Sequence, residues 1–154
     1  MIFGPVALAS DPTGNVLLAT GDDQKLHMLL NDGFGSLTEV ASAGLPGHSP
    51  SLAIERTGHF VYAAGPAGVA AFSMDPAAHT LTPIALNLPV PVANATGIWV
   101  EPSGHFAYVA VSDSQNNALY AFSIQSDGTL TSSSTTPVAT PKHATAMVFD
   151  GSVQ

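Results

Sequence analysis

The sequence predicts an all-β fold, a segment of a β-propeller with three four-stranded antiparallel blades and the first strand of a fourth. Three observations lead there. A short turn recurs as Asp11-Pro12-Thr13-Gly14, Glu55-Arg56-Thr57-Gly58 and Glu101-Pro102-Ser103-Gly104, and its glycines repeat at intervals of 44 and 46 residues. Self-similarity at that period marks propellers and related arrays. Between the turns lie short apolar runs bounded by Gly, Pro, Asn and Asp, and long 3.6-residue patterns with helix caps are absent. Each unit also carries the same further landmarks in phase: Leu18, Tyr62 and Tyr108 four residues past the glycine, then Leu29, Phe72 and Phe122, then Ser36-Leu37-Thr38, Thr80-Leu81-Thr82 and Thr129-Leu130-Thr131. Four strands in about 45 residues make one blade.

The first unit places strand A at Pro5 to Ser10, B at Asn15 to Thr20, C at Leu26 to Leu30 and D at Ser36 to Val40. A polar B–C connection, Gly21-Asp22-Asp23-Gln24, and the hairpin signal Asp32-Gly33 separate them. The loop Ser42 to Pro50, with Gly44, Pro46 and Gly47, ends the unit. The second unit repeats the order with A at Ser51 to Ile54, B at His59 to Ala64, C at Val69 to Met74 and D at Thr80 to Ile84. Pro83 marks that last strand as an edge, since proline donates nothing to a ladder. The third has A at Thr96 to Val100, B at His105 to Val111, C at Leu119 to Ile124 and D at Thr129 to Thr131, followed by a loop through Pro137 and Pro141. Ala144 to Phe149 reads as a fourth strand A, with Asp150 in the acidic position. The blades thus occupy about residues 5–41, 50–86 and 96–135, and a fourth opens at about 144–150, all within one partial propeller domain. The stop in mid-blade favours a segment of a longer propeller over copies that associate to complete a ring. Unpaired end blades would make self-association possible.

Ala7, Ser51, Gly97 and Ala146 share one place in the A strands, and all are small, as crowding at a propeller axis requires. Trp99 stands where Ala53 stands and is expected in an inter-blade core.

Composition narrows the function. Of 154 residues only 9% are charged, and the net charge is −8 with Lys25, Arg56 and Lys142 as the sole Lys and Arg. Nucleic-acid binding, which needs clustered cations, is excluded as an expectation. There is no cysteine, hence neither disulfides nor thiolate-held metal. Met1 to Pro5 has no basic start or apolar core of a leader, and the apolar run Val61 to Phe72 is too short to span a bilayer. The chain suits the cytoplasm or, as part of a longer chain, the periplasm or exterior.

The repeated acids Asp11, Glu55, Glu101 and Asp150 could be read as a cation-binding ring. A carboxylate before a turn accepts backbone N–H groups, and a position that recurs in every blade serves architecture. His59 and His105 follow the turn glycines as exposed turn residues. His27 lies in strand C with no partner visible. No histidine shows metal-site spacing, so no metal or other cofactor is expected. There is no Gly-x-Ser-x-Gly elbow and no phosphate-binding Gly-x-x-x-x-Gly-Lys run.

The place seven residues before each acid is more informative. It holds Gly4, His48, Asn94 and His143, in loops that enter strand A. The B–C connections, including Asp113 to Asn117, are expected at the same end. Variable polar loops on a rigid scaffold are where sites are built. Neutral His48 or His143 could act as a general base on an attacking water, with Lys142 stabilising a developing oxyanion. Asn94, Lys142, Asp113 and Asn116 are the candidate substrate-binding residues.

Pro102-Ser103-Gly104-His105-Phe106-Ala107-Tyr108-Val109, Leu119-Tyr120-Ala121-Phe122 and Gly128-Thr129-Leu130-Thr131 resemble the repeat of the lactonase-type seven-bladed propellers. That family includes 6-phosphogluconolactonase and the related YVTN-repeat proteins. The resemblance covers nearly the whole chain and rests on strand and turn residues. The second unit departs from it with Arg56 in place of proline. A Pro-Arg-His run that often enters strand A in the family is unmatched, since Ser51, Gly97 and Ala146 occupy the histidine place. No Trp-Asp dipeptide closes a blade. The resemblance implies hydrolysis of a sugar lactone at the channel mouth. The other reading is a non-catalytic propeller that binds a protein or small-molecule partner.

Overall fold

A computed structural model describes residues 4–88, 92–112, 117–133, 137–140 and 147. All the regular structure among them is β. The first sheet contains β1 (Pro5–Ser10), β2 (Val16–Gly21), β3 (Lys25–Asn31) and β4 (Leu37–Gly44), hydrogen-bonded in that order. The second contains β5 (Ser51–Ile54), β6 (Phe60–Gly65), β7 (Gly68–Asp75) and β8 (Thr80–Ile84), again in chain order. The third contains β9 (Ala95–Val100), β10 (Phe106–Ser112), β11 (Asn117–Ile124) and β12 (Leu130–Ser132), with β13 (Val138–Ala139) also pairing with β11. Every pairing is antiparallel. Each sheet is a blade, and β1, β5 and β9 lie side by side along the axis. No described helix is long and apolar enough to cross a membrane.

The strands fall where the turn residues predict, with two differences. Strand D of the first blade continues to Gly44, past the expected end at Val40 and past the blade limit of 41. Its pairing steps from Met28↔Ala41 to Leu29↔Glu39, so Val40 forms a bulge. In the third blade, β13 lies in the expected proline-bearing loop and pairs Ala118 and Leu119, the stretch of β11 beyond the reach of β12. The proposed fourth strand lies outside the described residues, apart from Met147.

The A–B turns show why their acid recurs. Asp11 accepts the N–H of Thr13 at 3.2 Å and of Val16 at 2.8 Å. Glu55 accepts the Thr57 N–H at 2.9 Å, and Glu101 accepts those of Ser103 and His105, both at 3.0 Å. The hydroxyls of Thr13, Thr57 and Ser103 donate to the same three carboxylates. The turn glycines have φ of +75°, +77° and +80°, a region that a side chain disfavours. Burial works to raise the Asp11 and Glu101 carboxyls, but these hydrogen bonds outweigh it and hold both below the usual range. Among the described residues no group of acids and histidines is arranged to hold a metal ion.

Period-two alternation then builds two cores. Val61 and Ala63 of β6 and Phe72 and Met74 of β7 meet Val16, Leu18, Leu26 and Met28 of the first blade. Tyr62 and Ala64 point the other way and meet Ile98, Val109, Tyr120 and Phe122 of the third. The middle blade buries both faces, so its central strands read as a nearly unbroken apolar run. Trp99 takes the same face of its blade as Ala53, which packs from β5 toward the third blade. Ile98 and Val100 face the second blade, which turns Trp99 to the opposite side of β9, half-buried, with its ring over Gly97. There it shares a face with Tyr108, its partner in register, and with exposed Phe106.

Polar ties complete the joints. Ser51 Oγ accepts the Ile98 N–H at 3.0 Å, linking β5 to β9. Thr20 donates its hydroxyl to the Ser49 carbonyl at 2.7 Å, linking the first blade to the second. Tyr62, wholly buried, donates its hydroxyl to the Gly128 carbonyl at 3.0 Å. Tyr62→Phe is expected to lower the unfolding free energy by about 1–3 kcal/mol by leaving that carbonyl without its buried donor. Urea denaturation measures it, and an unchanged midpoint would show that the bond adds nothing to the joint.

Candidate functional site

The loops entering strand A and the B–C turns gather at one end of the blades, as their phase predicts. Asp22 in the first B–C turn donates its N–H to the Gly4 carbonyl at 3.3 Å. Asn94 donates its N–H to the Pro66 carbonyl at 3.0 Å, and its own carbonyl accepts the Ser112 N–H at 3.2 Å. The Gly4 and Asn94 loops are thereby tied to B–C segments. Asn94 sits at φ +59°, a conformation asparagine tolerates better than most residues, and its side chain is exposed.

His48 is positioned by backbone packing. Its carbonyl oxygen passes where a Cβ on Gly65 would stand, at 2.0 Å, so only glycine can end β6 there. The next residue, Ser49, is buried and holds the loop through the Thr20 bond. These constraints leave the His48 imidazole about half exposed, with Nδ1 3.9 Å from Asp22 Oδ1. That separation is an ion-pair distance and too long for a hydrogen bond. His48, Asp22 and Asn94 therefore lie at the same end on neighbouring loops. Lys142, His143, Asp113 and Asn116 fall outside the described residues.

A second acid–histidine group at this end was not visible in the sequence. His27, 3% exposed, is clamped between two carboxylates. Its Nδ1 lies 2.8 Å from Glu39 Oε1, and its Nε2 lies 3.1 Å and 3.2 Å from the two Asp23 oxygens. With an acceptor on each ring nitrogen, the doubly protonated imidazolium satisfies both contacts. The bulge at Val40 sets this up: it places Glu39 opposite Leu29, on the face His27 shares. No residue pattern signals a bulge of this kind, so His27 read as unpartnered. The i, i+4 spacing of Asp23 and His27 was the one visible hint. For Glu39 the His27 hydrogen bond is the largest influence and lowers its carboxyl; for Asp23 burial acts to raise it, but the hydrogen bond and charge of His27 prevail. The clamp ties the B–C turn beside Asp22 to the outer strand.

No protein-family model matches the chain, and no curated protein matches it in sequence. Solved structures match it in fold. A candidate 6-phosphogluconolactonase from Bacteroides uniformis aligns with a TM-score of 0.73 at 17% identity, over 92% of this chain and 43% of that one. The periplasmic gluconolactonase PpgL of Pseudomonas aeruginosa aligns with a TM-score of 0.68 at 18% identity, over 88% of this chain and 39% of its own. Sqt1 of Saccharomyces cerevisiae gives 0.68 at 14% identity, over 83% and 34%. The chain spans about two-fifths or less of the length of these structures. Its fold is that of a β-propeller; identity this low carries the fold alone.

Because Asp23 and Glu39 ionise below their ordinary range when folded, the unfolded chain binds more protons in acid. The stability they contribute is complete above their unfolded values, roughly pH 4 to 4.5, and is lost as pH falls through the folded ones. His27→Gln is expected to raise both carboxyl values in an NMR titration and to narrow its stability gap from the parent as pH drops through that window. Identical titration curves in the two proteins would show that the clamp does not form.

Proposed function

We propose that the chain supplies three blades of a propeller that hydrolyses a sugar lactone at the end where His48 and Asn94 lie. One observation carries the reading: the half-exposed His48 imidazole stands 3.9 Å from Asp22 at the end of the propeller where Asn94 is also held. In this reading neutral His48 takes a proton from water as the water attacks the lactone carbonyl. The Asp22 carboxylate stands beside the imidazole, 3.9 Å from its Nδ1. Asn94 offers its amide to substrate hydroxyls. Lys142 stabilises the oxyanion, His143 is the alternative base, and Asp113 and Asn116 contact the sugar. The ring opens when the tetrahedral intermediate expels its alkoxide, which leaves as a hydroxyl after protonation by the imidazolium.

A second reading has a specific observation in its favour. The His48–Asp22 separation is looser than the hydrogen bond that usually orients a catalytic histidine, which suits a propeller that only binds a partner at this end. No cofactor, nucleic acid or membrane insertion enters either reading.

Hydrolysis of gluconolactone, followed above its spontaneous rate, separates them. His48→Ala is expected to lower kcat by about 100-fold or more, the usual scale of general-base loss, with His143→Ala as the parallel test. With Asp22 and Asp23 at this end, the unphosphorylated lactone is expected to react at least as well as its 6-phosphate. Full activity in the double variant sinks the base assignment, and no turnover in the parent favours the binding reading.

A further inference from the structure

The opposite end of the blades holds a cleft of about 290 Å³ between the second and third blades, lined by Glu55, Thr57, Phe60, Gly104, His105 and the Ile124–Ser126 segment. Its size is at the lower bound for small-molecule sites. None of these residues takes part in the site around His48.

Its walls are fixed by the fold. The Glu55 N–H bonds to the Phe60 carbonyl at 2.9 Å, and the Ile124 N–H to the His105 carbonyl at 2.8 Å. Gly128 packs against one edge of the Phe60 ring, where a Cβ would come within 2.4 Å. Gly104 sits over Glu55, where a Cβ would stand 2.8 Å from Oε1. Glu55 is 6% exposed yet lines the cleft. Among the described residues, the polar groups on its carboxylate are the N–H and hydroxyl of Thr57, both uncharged. A buried carboxylate held only by neutral donors favours a cation.

The field around the cleft has the same sign. Tyr62 at the blade joint has its phenol pushed above the ordinary value, first by burial and then by the charges of Glu55 and Asp127. At the rim, Ser103 donates its hydroxyl to Glu101, so the 2.8 Å contact between Ser103 Oγ and His105 Nδ1 requires the imidazole to donate. That assigns the proton of a neutral His105 to Nδ1 and leaves Nε2 as an acceptor. Phe60 and Ile124 add apolar surface, and an aromatic face attracts cations. Arg56 stands exposed in the same A–B turn and is the competing positive charge.

We propose that this cleft binds a small organic ammonium ion, its charged head on Glu55 and its hydrocarbon against Phe60 and Ile124. A site of this kind is independent of lactone hydrolysis at the other end, so neither reading falls with the other.

Titration of the 154-residue chain with benzylamine and with benzyl alcohol, followed by amide NMR, tests it. Benzylamine is expected to move the signals of Glu55, Thr57, Gly104, His105 and Gln125, and to bind at least tenfold more tightly than the neutral alcohol of the same shape. Glu55→Gln, which keeps an acceptor for the turn, should weaken benzylamine at least tenfold. His105→Lys, at an exposed position, should do the same by placing a cation at the rim, and it keeps the test decisive if the buried substitution unfolds the chain. Equal affinity for amine and alcohol, tighter binding of a neutral polyol such as inositol, signals unmoved at the cleft, or unchanged affinity in folded Glu55→Gln or His105→Lys overturns the proposal.

Discussion

A carboxylate that accepts backbone N–H groups closes each turn between the first two strands of a blade, and the rest of the structure depends on it. Asp11, Glu55 and Glu101 fix where strand B begins relative to strand A. With period-two alternation, that start decides which face every later side chain takes. A slip of one residue would turn Val61 and Ala63 away from the first blade and Tyr62 and Ala64 away from the third. The turn thus sets the register from which both inter-blade cores follow.

The same dependence explains what the sequence could reveal. Strand starts were legible because turn residues announce them: Pro5 to Ser10, Ser51 to Ile54 and Thr80 to Ile84 are strands over those residues in the structure. The end of β4 was not legible. Its extension to Gly44 and the bulge at Val40 depend on how β3 accepts a partner, which no local motif encodes. The clamp on His27 follows from that bulge and was hidden with it. Trp99 shares the phase of Ala53, and the fourth blade expected on its side of β9 lies outside the described residues, apart from Met147.

For the candidate site, phase alone brought His48 and Asn94 to one end, because equivalent positions in a repeat occupy equivalent places. The finer geometry depends on features with weaker signals. Gly65 makes room for the His48 carbonyl, Ser49 anchors the loop, and Asp22 reaches the imidazole from the preceding blade. The cleft at the other end was illegible for the opposite reason. Its lining comes from the turns that recur in every blade, so Glu55 and His105 looked purely architectural, while the space between them exists only where two blades meet.

The turns also touch one another. Gly58 lies against Pro12 and Asp11, and Gly104 lies against Glu55 and Arg56, so each turn seats on the one before. A blade therefore carries both halves of a coupling: the glycine that fits its predecessor and the acid that receives its successor. Tandem duplication of such a unit brings its own joint and needs no matching change elsewhere. Blade number can then drift by copying, provided far-end ties such as the bond from Thr20 to the Ser49 carbonyl are kept.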